Sequence, residues 1–208
     1  MKTLDLEEFE QKIGYSFKNI ELLKNALTHT SYANEHGIKS NEKLEFLGDA
    51  ILEFVTSDYI YKNYFHLKEG EMTKVRASVV CEESLFKVAQ LLDFSDFLYL
   101  GRSELANNGK TRPAILADSV EAVIAAMYLD GGIEPVSKFI IKNLKEPIEM
   151  ASKSVGMKDH KTVLQEKLQA HGEVHIEYEI ISESGPDHNK SFEAQVKLNG
   201  KVLAKGSR

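Results

Sequence analysis

Residues 41–55 read NEKLEFLGDAILEFV, and their spacing governs how the rest of the chain is understood. Leu44, Leu47, Ile51, Phe54 and Val55 recur at intervals of three and four, the period of a helix. At about 100° per residue, Glu42, Glu45, Asp49 and Glu53 fall within an arc of roughly 80°. Acidic pairs four residues apart repel by about 0.2–0.5 kcal/mol each. No lysine shares the arc, since Lys43 points elsewhere. A solvated helix face is the plain interpretation of any one of these acids.

A second segment weakens that interpretation. In PAILADSVEAVIAAMYL, residues 113–129, Asp118 and Glu121 are the only charges, and they lie about 60° apart on one helix face. Ala114, Ala122 and Ala125 flank them, and Gly48 stands beside the acids of the first helix. Small residues let two helix backbones approach closely. Two carboxylate pairs brought together in this way repel unless divalent cations lie between them. Oxygen-only ligands suit a hard ion such as Mg²⁺ or Mn²⁺. A di-iron bundle is disfavoured, because no histidine follows these carboxylates at Glu-x-x-His spacing. Spacing alone leaves a metal site and a purely structural helix pair both open.

Outward from these helices, helical period extends through residues 1–150, with Pro113 and Pro135 near helix starts and Gly131–Gly132 at a helix end. ASKSVGMKDH around 151–160 reads as a linker, set at 151–158. A short helix is expected from about Lys161 to His171, with Leu164 and Leu168 facing inward. The period then becomes two: Val174, Ile176, Tyr178 and Ile180 alternate with polar residues, as do Phe192, Ala194, Val196 and Leu198. Asn199–Gly200 is a strong two-residue hairpin signal, returning through Lys201–Lys205. The expected architecture is an all-α domain over 1–150 and a small α+β domain over 159–208.

The whole chain has 208 residues, 26 Lys+Arg and 32 Asp+Glu, for a formal charge of −6. Apolar residues make up 42%, too many for disorder. No apolar run approaches the ~18–20 residues of a membrane span, and the acidic start MKTLDLEEFEQ is no secretory signal. Cys81 is the single cysteine, which excludes a disulfide framework and a cysteine zinc cage within one chain. A cytoplasmic setting fits best. Residues 1–150 carry net −7 and residues 151–208 net +1, so the acidity belongs to the first part.

NEKLEFLGDAIL resembles the defining motif of ribonuclease III, with Lys43 where the family usually has arginine. IGYSFKNIELLKNALTHTSYANE, EGEMTKVRASVV and AILADSVEAVIAAMYLDGG are similar to further blocks of the family, in the family's order. DHKTVLQEKLQ and the three strands after it resemble the double-stranded RNA-binding domain of bacterial members. The resemblance implies an all-α endonuclease domain followed by a domain of α-β-β-β-α type. It also implies metal-dependent hydrolysis of double-stranded RNA to 5′-phosphate and 3′-hydroxyl ends with short 3′ overhangs. Mg²⁺ is the expected ion, with Mn²⁺ able to substitute, and precursors of ribosomal RNA, mRNA and tRNA are the expected substrates.

Residue by residue, Glu45, Asp118 and Glu121 match the family's metal ligands, and Asp49 and Glu121 the positions usually called catalytic. Glu42 and Glu69 match further acids at the catalytic valley of a homodimer, which implies a secondary role towards RNA or the metal; plain solvation is the alternative. Phe46 matches an aromatic that enters a pocket of the partner subunit; core packing is the alternative. His29 also matches a family position and is read as structural. In the second domain Thr162, Gln165 and Glu166 present a polar helix face suited to 2′-hydroxyls in a minor groove, and His188 matches the loop reaching the next one. Lys190 and Lys205 are candidate phosphate contacts.

Two departures stand out. His160 occupies a position where many members have proline, and the chain stops at AKGSR, where a lysine-rich last helix is expected to begin. The expected fold therefore lacks that helix in this chain. A non-cleaving regulator that binds double-stranded RNA on the same fold is the alternative function. A carboxylate metalloprotein unrelated to RNA is a third reading, which leaves the C-terminal part unexplained.

Overall fold

The computed structural model describes residues 5–155, 164, 168, 174–184 and 191–207. The chain forms two compact units, Met1–Gly156 and Met157–Arg208.

The first unit is helical. Its described elements are α1 (Leu6–Ile13), α2 (Ile20–Ala26), α3 (Thr30–His36), α4 (Glu42–Asn63), α5 (Glu69–Val79), α6 (Glu82–Leu91), α7 (Arg102–Ala106), α8 (Pro113–Gly131) and α9 (Ile133–Val155). Short 3₁₀ turns cover Phe94–Asp96 and Gly109–Thr111. α8 is the central rod. Ile115, Leu116, Val120, Val123, Ile124 and Met127 are all buried, as expected of a helix that is apolar around most of its circumference, the face of Asp118 and Glu121 excepted. α2, α4, α6 and α9 pack around it. Pro113 opens α8 at its first position, and Gly132 closes it with φ 79°, a left-handed value that glycine adopts without strain. α9 turns Val136, Phe139, Ile140, Leu144 and Ile148 inward at helical spacing.

Two stretches differ from their sequence reading. The helical period of NIELLKNALTHTS is broken at Leu27–His29, between α2 and α3. There the backbone pairs with Tyr99: Tyr99 N–H donates to Leu27 O at 2.9 Å, and His29 N–H to Tyr99 O at 3.1 Å. Those tertiary bonds take the place of further intrahelical ones, and Thr28 and His29 are weak helix formers. At the other end, α9 continues through Val155, into the stretch read as a linker. Ser152 and Ser154 return their hydroxyls to carbonyls three residues back, which satisfies them inside the last turns.

The second unit contains an antiparallel sheet in the order β1 (Ile176–Ser184), β2 (Ser191–Leu198), β3 (Lys201–Ser207). Asn199 and Gly200 have φ 50° and 78°, so both central residues of the β2–β3 turn are left-handed, the primed turn that suits a twisted hairpin. Asn199 also accepts from His175 N–H through Oδ1 and donates its own N–H to His175 O, which ties the turn to the entry of β1. Leu164 and Leu168 are helical and half-buried, in line with the inward stripe expected of the short helix.

Candidate active site

Glu42, Glu45 and Asp49 lie on the first turns of α4, and Asp118 and Glu121 on α8. The early acids are compatible with α4 as a helix, since its N-terminus favours negative charge. Gly48 brings the two helices together. A Cβ built there would stand 1.9 Å from the backbone oxygen of Glu121. Only a glycine permits that approach, and it lies between Glu45 and Asp49 in sequence. Behind Asp118 and Glu121, Ala117, Ala122 and Ala125 are buried.

Close approach leaves these carboxylates in poor surroundings for charge. Burial, then the charges of Asp49, Asp118 and Glu45, push the Glu121 carboxyl up to about 8. Glu45 is raised by burial and by Asp118, Glu42 and Asp49. Asp118 is raised by burial and by Glu82, against an opposing effect of His29. Four of the sequence-predicted acids (Glu45, Asp49, Asp118 and Glu121) therefore interact, and the charges that perturb Glu45 and Glu121 are all acidic. Glu53 differs. Arg76 of α5 reaches it at 3.2 Å, so the fourth acid of the α4 arc is neutralised by another helix.

The donor set is chemically suited to a hard divalent ion: oxygen ligands only, excess negative charge, and acids whose ionised forms need a compensating cation. Among the described residues, no three carboxylate, histidine or cysteine side chains already share one coordination sphere. The fit is thus one of charge and donor type, with the side chains still apart.

The remaining candidates are distributed as follows. Glu42 is exposed at the edge of the cluster, where Ser40 Oγ donates to its Oε2 at 2.7 Å and Thr30 Oγ1 donates at 3.4 Å. Glu69 stands elsewhere, on the wall of a cavity of about 330 Å³ lined also by Ser57, Ile60, Tyr61, Met72 and Arg76. Phe46 is 81% exposed, which removes the core-packing alternative within this chain. Phe54, Tyr61 and Phe65 are also exposed. Thr162, Gln165, Glu166 and His188 lie outside the described residues, as do Lys190 and His160. Lys205 is exposed in β3, in register with Gln195.

Glu82 and Arg76 were not singled out by the sequence. Each acts on the α4–α8 acids from a different helix, and no local spacing announces either.

The chain matches the ribonuclease-III-like family over residues 19–148. It belongs to the ribonuclease III family. The double-stranded RNA binding motif matches over residues 160–208. The Ribonuclease 3 of Listeria monocytogenes serovar 1/2a is 50% identical over 204 residues, spanning 97% of this chain and 89% of that protein. A solved nuclease domain of ribonuclease III from Campylobacter jejuni superposes with a TM-score of 0.64 at 38% identity, over 70% of this chain and 96% of that one. A second structure of that domain, described for structural flexibility in a region involved in dimer formation, gives a TM-score of 0.63 at 39% identity, over 68% and 99%. A ribonuclease III domain together with this motif makes the chain an endonuclease of double-stranded RNA, metal-dependent as the family generally is. Among the described residues no helix is long and apolar enough to cross a membrane.

Proposed function

We propose that this ribonuclease III cuts double-stranded RNA at the acids gathered by the Gly48 contact, with Glu45, Asp118 and Glu121 holding Mg²⁺ and Asp49 and Glu121 completing the catalytic set. The observation that carries this reading is the close approach of Gly48 to the backbone of Glu121, which gathers Glu45, Asp49, Asp118 and Glu121 where burial and mutual charge raise the Glu121 carboxyl. Burial and three neighbouring acids disfavour its ionised form, and a divalent cation at the site would offset that repulsion. When bound, a divalent ion activates water and offsets charge developing on the phosphodiester. The chain's own residues supply the rest. The α4–α8 contact holds the acids in register, and Ser40 and Thr30 orient Glu42 at the rim. Mn²⁺, another oxygen-preferring ion, is expected to substitute. The products are 5′-phosphate and 3′-hydroxyl ends with short 3′ overhangs, and the substrates are structured precursors of ribosomal RNA, mRNA and tRNA in the cytoplasm.

The active form is a homodimer. The exposed Phe46 suits an apolar socket, and the cavity beside Ser57, Ile60, Tyr61 and Met72 has room for an aromatic ring. That docking sets Glu69 at the edge of the joint valley. Thr162, Gln165, Glu166 and His188 are proposed to contact the RNA minor grooves.

A non-cleaving regulator is not favoured, because the chain retains Glu45, Asp49, Asp118 and Glu121 together. Long double-stranded RNA incubated with Mg²⁺ and the wild-type protein, Glu121→Ala or Asp49→Ala decides the matter. Cleavage by the wild type alone is expected. Undiminished cleavage by both variants refutes the site, and wild-type binding without cleavage restores the regulator.

A further inference from the structure

The THTS segment, residues 28–31, is unusually well tied down for a break between two helices. Asn41 N–H donates to Thr28 O at 2.9 Å, and Thr30 Oγ1 donates to Glu42. His29, between them, is therefore held alongside the start of α4, at the rim of the acidic cluster. Its ring is half-buried. Ser31 N–H donates to His29 Nδ1 at 3.2 Å. The Ser31 hydroxyl, which accepts from Gly101 N–H at 2.9 Å, lies 2.8 Å from the same Nδ1 and has its proton to give there. Nδ1 is thus an acceptor, and the ring proton resides on Nε2.

That leaves one donor with a fixed direction. Among the described residues no hydrogen bond to Nε2 is formed. The charged groups around the ring are Glu104, Asp118 and Glu42, with Arg112 opposing them. Arg112 is itself engaged by Glu104 in an ion pair at 2.8 Å that lacks hydrogen-bond alignment. A purely capping role would require Nδ1 alone. An oriented N–H beside the acids, with no acceptor from the chain, suits an acceptor that arrives with the substrate.

We propose that His29 is a substrate-contacting residue: its Nε2–H donates to a phosphodiester oxygen of the RNA strand lying across the α4 and α8 carboxylates. The proposal rests on that site being the place of cleavage. Two substitutions separate the ring's two nitrogens. His29→Asn keeps an acceptor at the Nδ1 position, and asparagine is a strong helix cap, but it removes the Nε2 donor. His29→Gln offers a donor near the Nε2 position and loses the cap.

The expected result is a crossed ranking. His29→Asn keeps the wild-type thermal midpoint and loses about ten- to hundredfold in kcat/KM on double-stranded RNA, the effect of one hydrogen bond to a charged oxygen. His29→Gln has the lower midpoint and the higher activity of the two. Wild-type kcat/KM in His29→Asn, or the same ranking in stability and activity, overturns the proposal. Glu121→Gln assayed in parallel keeps the failures apart. If Glu121→Gln stays fully active, the site itself is misplaced; if it is inactive while His29→Asn is unimpaired, only the role of His29 falls.

Discussion

Replacing Gly48 by alanine tests the feature that assembles the site. The added Cβ would fall 1.9 Å from Glu121 O, and ordinary van der Waals contact begins near 3.4 Å, so α4 and α8 must separate by about 1.5 Å at this point. The obstacle is backbone, and no side chain can swing away to relieve it. Alanine returns up to about 1 kcal/mol of helix propensity, whereas forced overpacking costs about 1–3 kcal/mol. The net loss of stability is therefore about 3 kcal/mol or less, below the ~5–15 kcal/mol that holds a domain folded, and the variant folds. Activity is far more sensitive, because a shift of ~1 Å in a catalytic constellation costs about a hundredfold. Gly48→Ala is expected to lose at least that factor in kcat/KM on long double-stranded RNA with Mg²⁺. Urea unfolding reports the stability change, and gel-shift affinity for the RNA stays near wild type, since the RNA-binding motif is untouched. Wild-type cleavage by Gly48→Ala refutes the reasoning that this close contact sets the carboxylates.

Other outcomes follow from the same geometry. Because Glu121 is raised from 4.5 to about 8 in the folded chain, its contribution to stability is complete below about pH 4.5 and is lost as pH rises through about 8. The metal-free thermal midpoint should fall across that window, Mg²⁺ at pH 8 should restore it, and Glu121→Gln should flatten the profile; a flat wild-type profile contradicts the assignment. Phe46→Ala removes an exposed side chain, so stability should move by about 0.5 kcal/mol or less, while analytical ultracentrifugation shifts from dimer towards monomer. Loss of stability without a change in mass would contradict its role as a dimer contact. Asp130 accepts from Tyr15 Oη at 2.7 Å and from the N–H groups of Lys18 and Asn19, both at 2.9 Å, joining the start of α2 to the end of α8. Asp130→Ala should cost about 1–2 kcal/mol in urea unfolding, with cleavage per folded molecule unchanged.

Much of this organisation follows from local pattern. The apolar period of 41–55 and 113–129 suffices for α4 and α8, and two left-handed positions at Asn199–Gly200 suffice for the β2–β3 turn. The paired acids were also visible, since side chains three or four residues apart must share a helix face. Which acids act together was decided elsewhere. Glu53 has the right angle on α4, yet Arg76, twenty-three positions away in sequence, removes it from the cluster. Leu27–His29 belong to a helical pattern but give their backbone bonds to Tyr99. The tautomer of His29 depends on Ser31, whose hydroxyl is held by Gly101, seventy positions later. Phe46 has the composition of a core residue and faces outward instead. Residue spacing determines which side chains share a helix face or a strand face. Burial, neutralisation and hydrogen-bond partnership depend on what packs against that face, and only the tertiary structure decides it.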